Sequence, residues 1–314
     1  MDGIVTKSTG KWYSVLLEDG RTMACRIKGK FRLGKIKLTN PIAVGDRVGV
    51  DPEKGLDTGM IARLHPRENY VLRQSTRRKH YMHLLAANID QAFVIVTIRF
   101  PMLKPGFIDR FLLTTESHNI PTYIIVNKSD ICTEEDLEIF GGVKALYKEI
   151  GYETLLVSAE TGAGIAELKA VLKGKTTLIS GHSGVGKSSL VNRIDADLEI
   201  TTQEVSDYSG KGMHTTTFAQ MYELEGGGRI IDTPGIKEMG FINMEPMDVA
   251  HNFREFFKYS EHCKYSDCLH VNEPNCAVKT AVEEGDISIL RYQSYLSVLE
   301  EVTNQNYWER QTDW

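Results

Sequence analysis

The octapeptide Gly181-His182-Ser183-Gly184-Val185-Gly186-Lys187-Ser188 fits G-x-x-x-x-G-K-[ST] at every fixed position, a pattern whose structural home is a strand, an anion-binding turn and a helix. The apolar run Thr177-Leu178-Ile179-Ser180 precedes it and the helical pattern Ser189-Leu190-Val191-Asn192-Arg193-Ile194 follows, so that unit is predicted here. Its glycines let backbone N–H groups turn inward on an anion, Lys187 can reach β- and γ-phosphates, and the Ser188 hydroxyl can ligate Mg²⁺. A nucleoside triphosphate is the expected ligand, held by Gly181 to Ser189. The alternative is a chance match in a glycine-rich turn, and the strand-to-helix context argues against it.

Upstream, Ala92-Phe93-Val94-Ile95-Val96-Thr97 and Thr122-Tyr123-Ile124-Ile125-Val126 read as buried strands flanking a helical pattern over 107–113. Strands alternating with helices predict an α/β domain with a mainly parallel sheet covered on both faces. The second strand runs into Asn127-Lys128-Ser129-Asp130, the guanine-reading pattern Asn-Lys-x-Asp. Asp130 can accept from the guanine N1–H and exocyclic amine, while Asn127 contacts the base and Lys128 packs over it. Adenine would leave that carboxylate without donors. After the next strand, Glu153-Thr154-Leu155-Leu156-Val157, the residues Ser158-Ala159-Glu160 resemble a second base-contacting loop, with a backbone N–H near Ala159 meeting the guanine O6.

Beyond the phosphate loop lies Gly210-Lys211-Gly212-Met213-His214-Thr215-Thr216-Thr217. A threonine in such a polar, glycine-flanked segment can close on Mg²⁺ and the γ-phosphate and release after hydrolysis; Thr216 is favoured, with Thr215 next. Arg229-Ile230-Ile231 then leads into Asp232-Thr233-Pro234-Gly235, where Asp232 would hold Mg²⁺ through water and the Gly235 N–H would meet the γ-phosphate. Position 236 is isoleucine, where Ras-type GTPases carry the glutamine that orients the attacking water. His214 is the nearest candidate to replace it; an exposed loop histidine is the alternative. The base-reading loops precede the phosphate loop, so the domain is circularly permuted, a cut that compact domains tolerate because their termini lie at the surface.

Cys263, Cys268, His270 and Cys276 offer three thiolates and one imidazole, enough for a closed tetrahedral Zn²⁺ site of structural type, with buried free thiols as the alternative. Helical patterns around them predict a small helical domain. Isolated Cys25 and Cys132, and the pair His80 and His83 with no Cys or acidic neighbour, suggest no further site.

The net charge of −5 hides an asymmetry: residues 1–80 hold 17 Lys and Arg against 8 Asp and Glu, whereas 81–314 hold 20 against 34. A basic amino-terminal end suggests a polyanionic partner. Five short β-rich runs in residues 1–70 predict a small barrel; an OB type matches best, and an SH3-like barrel is close. The basic stretch Arg26 to Lys37, with Phe31 inside it, could grip phosphate and stack on a base. Domain limits are expected at 1–70 (barrel), 71–87 (basic linker), 88–243 (nucleotide domain) and 244–314 (helical metal domain). No apolar run approaches a membrane span and no signal peptide opens the chain, so a cytoplasmic protein without a membrane partner is expected.

Taken together, the barrel, Asn127 to Asp130, Gly181 to Ser188, His214-Thr215-Thr216, Asp232 to Gly235 and the cysteine spacing through Cys276 resemble the circularly permuted, ribosome small-subunit-dependent GTPase family RsgA (YjeQ/YloQ), over the whole chain. The resemblance implies a GTPase, cycling between GTP and GDP, that binds the 30S ribosomal subunit and its 16S rRNA as a monomer. It also implies action in late 30S maturation, hydrolysis stimulated by the subunit, His214 as the catalytic candidate and one structural zinc. Met213 departs from the polar or basic residue frequent in the family. Two other classes fit the same residues: a GTP-dependent binding module with incidental hydrolysis, separable by whether subunits raise turnover, and a zinc-dependent nucleic-acid binder whose phosphate loop only stabilises the fold, separable by single-turnover hydrolysis.

Overall fold

The structure, a computed structural model, describes residues 1–27, 40–74, 82–198, 219–233, 241 and 244–309. The predicted basic stretch from 28 onward, Met213, His214, Thr215, Thr216, Gly235 and Ile236 lie outside the described residues.

Alternating apolar residues close the amino-terminal strands on themselves. Strands β1 (Asp2–Ser8), β2 (Tyr13–Leu17), β3 (Thr22–Ile27), β4 (Arg47–Pro52) and β5 (Thr58–Leu64) pair in the order β1-β2-β3-β5-β4, and β4 returns to β1. The β3–β5 pair is parallel and the others antiparallel, which gives the five-stranded OB-type barrel. Val5, Tyr13, Val15, Leu17, Val48, Val50 and Ile61 fill it. Cys25 belongs to that core, and burial pushes its thiol up to about 11, so it acts as a small apolar residue.

The span 71–87, expected as a linker, is instead paired at its two ends: β6 (Tyr70–Gln74) and β7 (Met82–Ala87) form an antiparallel two-stranded sheet. Val71, Leu72, Leu84, Leu85 and Ala86 are buried. The basic residues between these apolar pairs dilute the period-2 signal that would have shown the strands. Gly45 lies against this sheet with φ 92°, and a Cβ there would come within 2.0 Å of the Ala87 carbonyl oxygen, so only glycine fits.

The nucleotide sheet is assembled from β8 (Gln91–Val96), α1 (Pro105–Glu116), β9 (Thr122–Val126), α2 (Glu134–Glu149), β10 (Glu153–Leu156), α3 (Ile165–Leu172), β11 (Thr176–Gly181), α4 (Lys187–Ile194), β12 (Gln220–Glu223) and β13 (Arg229–Asp232). Its order is β10-β9-β8-β11-β13-β12, parallel except for β12. Every residue of β8 is buried, as a central parallel strand requires. One apolar layer, with Ile108, Phe111 and Tyr147, covers one face; Leu168, Leu190 and Val191 lie in the other layer. The sheet continues into the barrel, because β12 pairs with β1 at Lys7 and Gln220.

Helices α5 (Pro246–Asn252), α6 (Arg254–Ser260), α7 (Ala277–Glu284) and α8 (Ile289–Glu309) form the carboxy-terminal unit. It packs on α1 through ion pairs. Arg291 of α8, 2% exposed, donates to Asp109 (2.7 Å) and to both oxygens of Glu255 (2.6 and 2.9 Å). Arg110 pairs with Glu301 and Arg254 with Glu116. Removing one partner from a buried set of this kind costs about 3–5 kcal/mol, because the other charge stays buried and uncompensated.

Candidate functional site

The carboxyl ends of β11, β13, β9 and β10 converge, as expected of a site on an open α/β sheet. Gly181 must be glycine because a Cβ would lie 2.3 Å from the Ile95 carbonyl oxygen. From there the loop passes His182, Ser183, Gly184 and Val185 to Gly186, which takes φ 87° and would place a Cβ 2.5 Å from the Asn127 amide nitrogen. Helix α4 then begins at Lys187, with Ser188 and Ser189 in its first turn. Such a helix start presents unpaired N–H groups toward an anion.

Asn127 is buried and bridges two loops: its amide donates to the Val185 carbonyl (2.9 Å) and its oxygen accepts from the Ala159 N–H (3.2 Å). The phosphate loop and the loop after β10 are thereby held in one register. Lys128 adopts φ 68° and donates through Nζ to the Phe100 carbonyl at 2.7 Å. The buried Ser158 hydroxyl donates to the exposed Asp130 carboxylate and accepts from the Thr161 N–H (3.1 Å). All the base-reading residues predicted from sequence therefore gather at one end of the sheet.

Lys187 Nζ donates to the carbonyls of Gly181 (2.6 Å) and His182 (3.0 Å). Burial lowers its pKa, and the facing Asp232 opposes that shift. Burial in turn raises the Asp232 carboxyl while Lys187 lowers it. A half-buried carboxylate facing a half-buried ammonium is a pair suited to hold a cation and a polyphosphate together. Sequence reasoning had no signal for the Phe100 carbonyl, because a backbone acceptor is recognised by position and not by residue type. A separate cavity of about 300 Å³, lined by Lys169, Leu172, Ile194, Asp195 and Leu224, opens where α3 and α4 end, away from these loops.

The second site lies between α6 and α7. Cys263, Cys268, His270 and Cys276 bring their donor atoms within 4.8 Å of one another. The Cys263 and Cys276 sulfurs are 3.9 Å apart, and His270 Nδ1 is 3.7 and 3.4 Å from them. Tetrahedral bonds of about 2.3 Å to sulfur imply roughly 3.8 Å between sulfurs, so the group fits a metal ion. Burial pushes the Cys268 thiol up to about 12, and a bound cation would reverse that by favouring the thiolate. The cradle is fixed by hydrogen bonds: Glu273 accepts from the Leu269 and Val271 N–H groups (2.9 and 2.8 Å), and Tyr292 and Tyr295 of α8 donate to the carbonyls of His270 and Leu269 (2.7 and 2.6 Å).

Comparison with known proteins bears on the barrel and the nucleotide domain. The model of the RsgA GTPase matches residues 64–242 and that of the RsgA N-terminal domain residues 2–61. A protein of Flavobacterium psychrophilum named small ribosomal subunit biogenesis GTPase RsgA is 49% identical, across 96% of this chain and 93% of its own length. Its namesake from Phocaeicola vulgatus is also 49% identical, across 98% and 99%. Among solved structures, YjeQ from Thermotoga maritima superposes with a TM-score of 0.76 at 35% identity, covering 96% of this chain and 98% of that one. YloQ, described as a circularly permuted GTPase, gives 0.72 at 27% identity, covering 97% and 95%. With the loops predicted to read guanine ahead of the phosphate loop in sequence and beside it in space, the chain belongs to the RsgA GTPase family and is a circularly permuted, GTP-hydrolysing enzyme.

Proposed function

We propose that this enzyme binds the 30S ribosomal subunit, acts in its late maturation, and hydrolyses GTP faster when bound to it. What supports this reading is the joining of a barrel with a basic outer side to the guanine-nucleotide sheet, through β1 and β12, together with the names of its relatives. Lys7 and Lys11 are exposed on the barrel, and the 41%-exposed Trp12 carries the Arg26 guanidinium 5.0 Å above its ring. Such cation and aromatic surfaces suit 16S rRNA. The enzyme would work as a cytoplasmic monomer, alternating between GTP and GDP.

In this reading Asp130, Asn127, Lys128, Ser158 and Ala159 hold guanine, and Gly181 to Ser189 with Gly235 hold the phosphates. Ser188, Thr216 and Asp232 would hold Mg²⁺, which offsets phosphate charge. Lys187 stabilises the negative charge that develops during transfer. The Ile236 side chain supplies no hydrogen-bonding group to water, and His214 takes that task in the complex with the subunit. The four donors between α6 and α7 hold zinc as a structural ion.

Co-sedimentation with purified 30S subunits across a salt series tests the partner. The Lys7→Glu/Lys11→Glu variant should bind more weakly, with a log K against log salt slope reduced by about 1–2, one unit for each lost phosphate contact. Parent affinity and slope in that variant would contradict an rRNA contact on this side of the barrel.

A further inference from the structure

Helix α1 touches the phosphate loop at its first turn and the carboxy-terminal helices along the rest of its length. At the first turn the Phe107 ring lies on the His182 ring, with centroids 3.9 Å apart and planes at 36°. The His182 carbonyl is one of the two that hold the Lys187 ammonium. Ring contact and lysine contact therefore fall on the same residue of the loop. Further along, Asp109 is bound by Arg291, Arg110 by Glu301, and Glu116 by Arg254. Arg110 also sits 4.6 Å over the Phe241 ring. Leu113 of α1 packs in the carboxy-terminal core itself.

We infer that Phe107 is a positioning residue for the nucleotide: its ring fixes His182, hence the backbone that orients Lys187, and α1 passes the anchorage of the carboxy-terminal helices to the phosphate loop. The loop is a chain of tight turns whose glycines Gly184 and Gly186 take positive φ. Val185 anchors that backbone from the core side, and the stacked pair restricts it at its entry, at His182. The pair joins elements far apart in sequence, and neither residue belongs to the fixed positions of the phosphate-loop pattern.

Two variants at Phe107 and one at His182 test this. Phe107→Leu keeps apolar volume and removes the ring, whereas Phe107→Tyr keeps the ring. An aromatic pair contributes about 0.5–1.5 kcal/mol, so Phe107→Leu should weaken GTP and GDP binding by about 2- to 12-fold. Phe107→Tyr should stay within about twofold of the parent by the same relation. His182→Leu, at a half-buried position, should show the same loss with a thermal midpoint close to the parent's, and the double variant should lose no more than either single one. The inference is overturned by parent-like affinity in Phe107→Leu, by a tyrosine variant as impaired as the leucine one, or by losses that add in the double variant.

Discussion

In the proposed reading Asp130 carries the choice of base, on the side of its carboxylate that Ser158 leaves open. Ser158 donates to one oxygen, so the other oxygen and the remaining lone pairs would be left to accept from the two donors on the guanine edge. Asp130→Asn exchanges an acceptor pair for one acceptor and one donor. GTP affinity should fall by about 10- to 100-fold, the worth of a hydrogen bond to a charged group, and xanthosine triphosphate should become the preferred ligand. Competition between the two nucleotides measures it, and continued preference for GTP would remove Asp130 from the base site. The fixed positions of this site were legible because the chemistry admits few residue types: Gly186 must take φ 87° and leave room for Asn127, and Asn127 must offer both a donor and an acceptor. The stack of Phe107 on His182 was not legible, since many side chains occupy those positions in a phosphate loop and a helix start.

At the scale of elements, α8 does two jobs that sequence reading kept apart. Tyr292 and Tyr295 hold the metal loop while Arg291 and Glu301 hold α1, so the metal centre and the nucleotide sheet share one helix. Protein purified without chelators should contain one zinc per chain. Removing it, or substituting Cys268→Ser, should lower the thermal midpoint and the helical signal of the carboxy-terminal unit, because binding energy at such a site is folding energy. Metal analysis finding no stoichiometric zinc would contradict this. The strands of the parallel sheet were legible from unbroken apolar runs such as Ala92 to Val96, buried throughout. Strands β6 and β7 were not, because Arg73, Arg77, Arg78 and Lys79 crowd between their short apolar pairs. Composition there reports the charge of a connection and hides the ladder at its ends.

Across the whole molecule, the permuted order of loops could be read directly, since each motif carries its own signature wherever the chain is cut. The continuity of barrel and sheet could not, because it rests on one register position, Lys7 opposite Gln220, and a single backbone pairing leaves no mark on composition. That junction lies on β12, the antiparallel partner of the strand that ends in Asp232. A partner held by the barrel is thus one strand away from Asp232, the proposed magnesium-binding aspartate, which is why binding and turnover are expected to be coupled. The direct measurement is GTP turnover by the parent and by His214→Ala, each with and without purified 30S subunits. The parent rate should rise on adding subunits, while His214→Ala should bind GTP normally and lose most of that rise, by about 10²–10⁴-fold for a positioned side chain. A parent rate that 30S subunits leave unchanged would contradict the account.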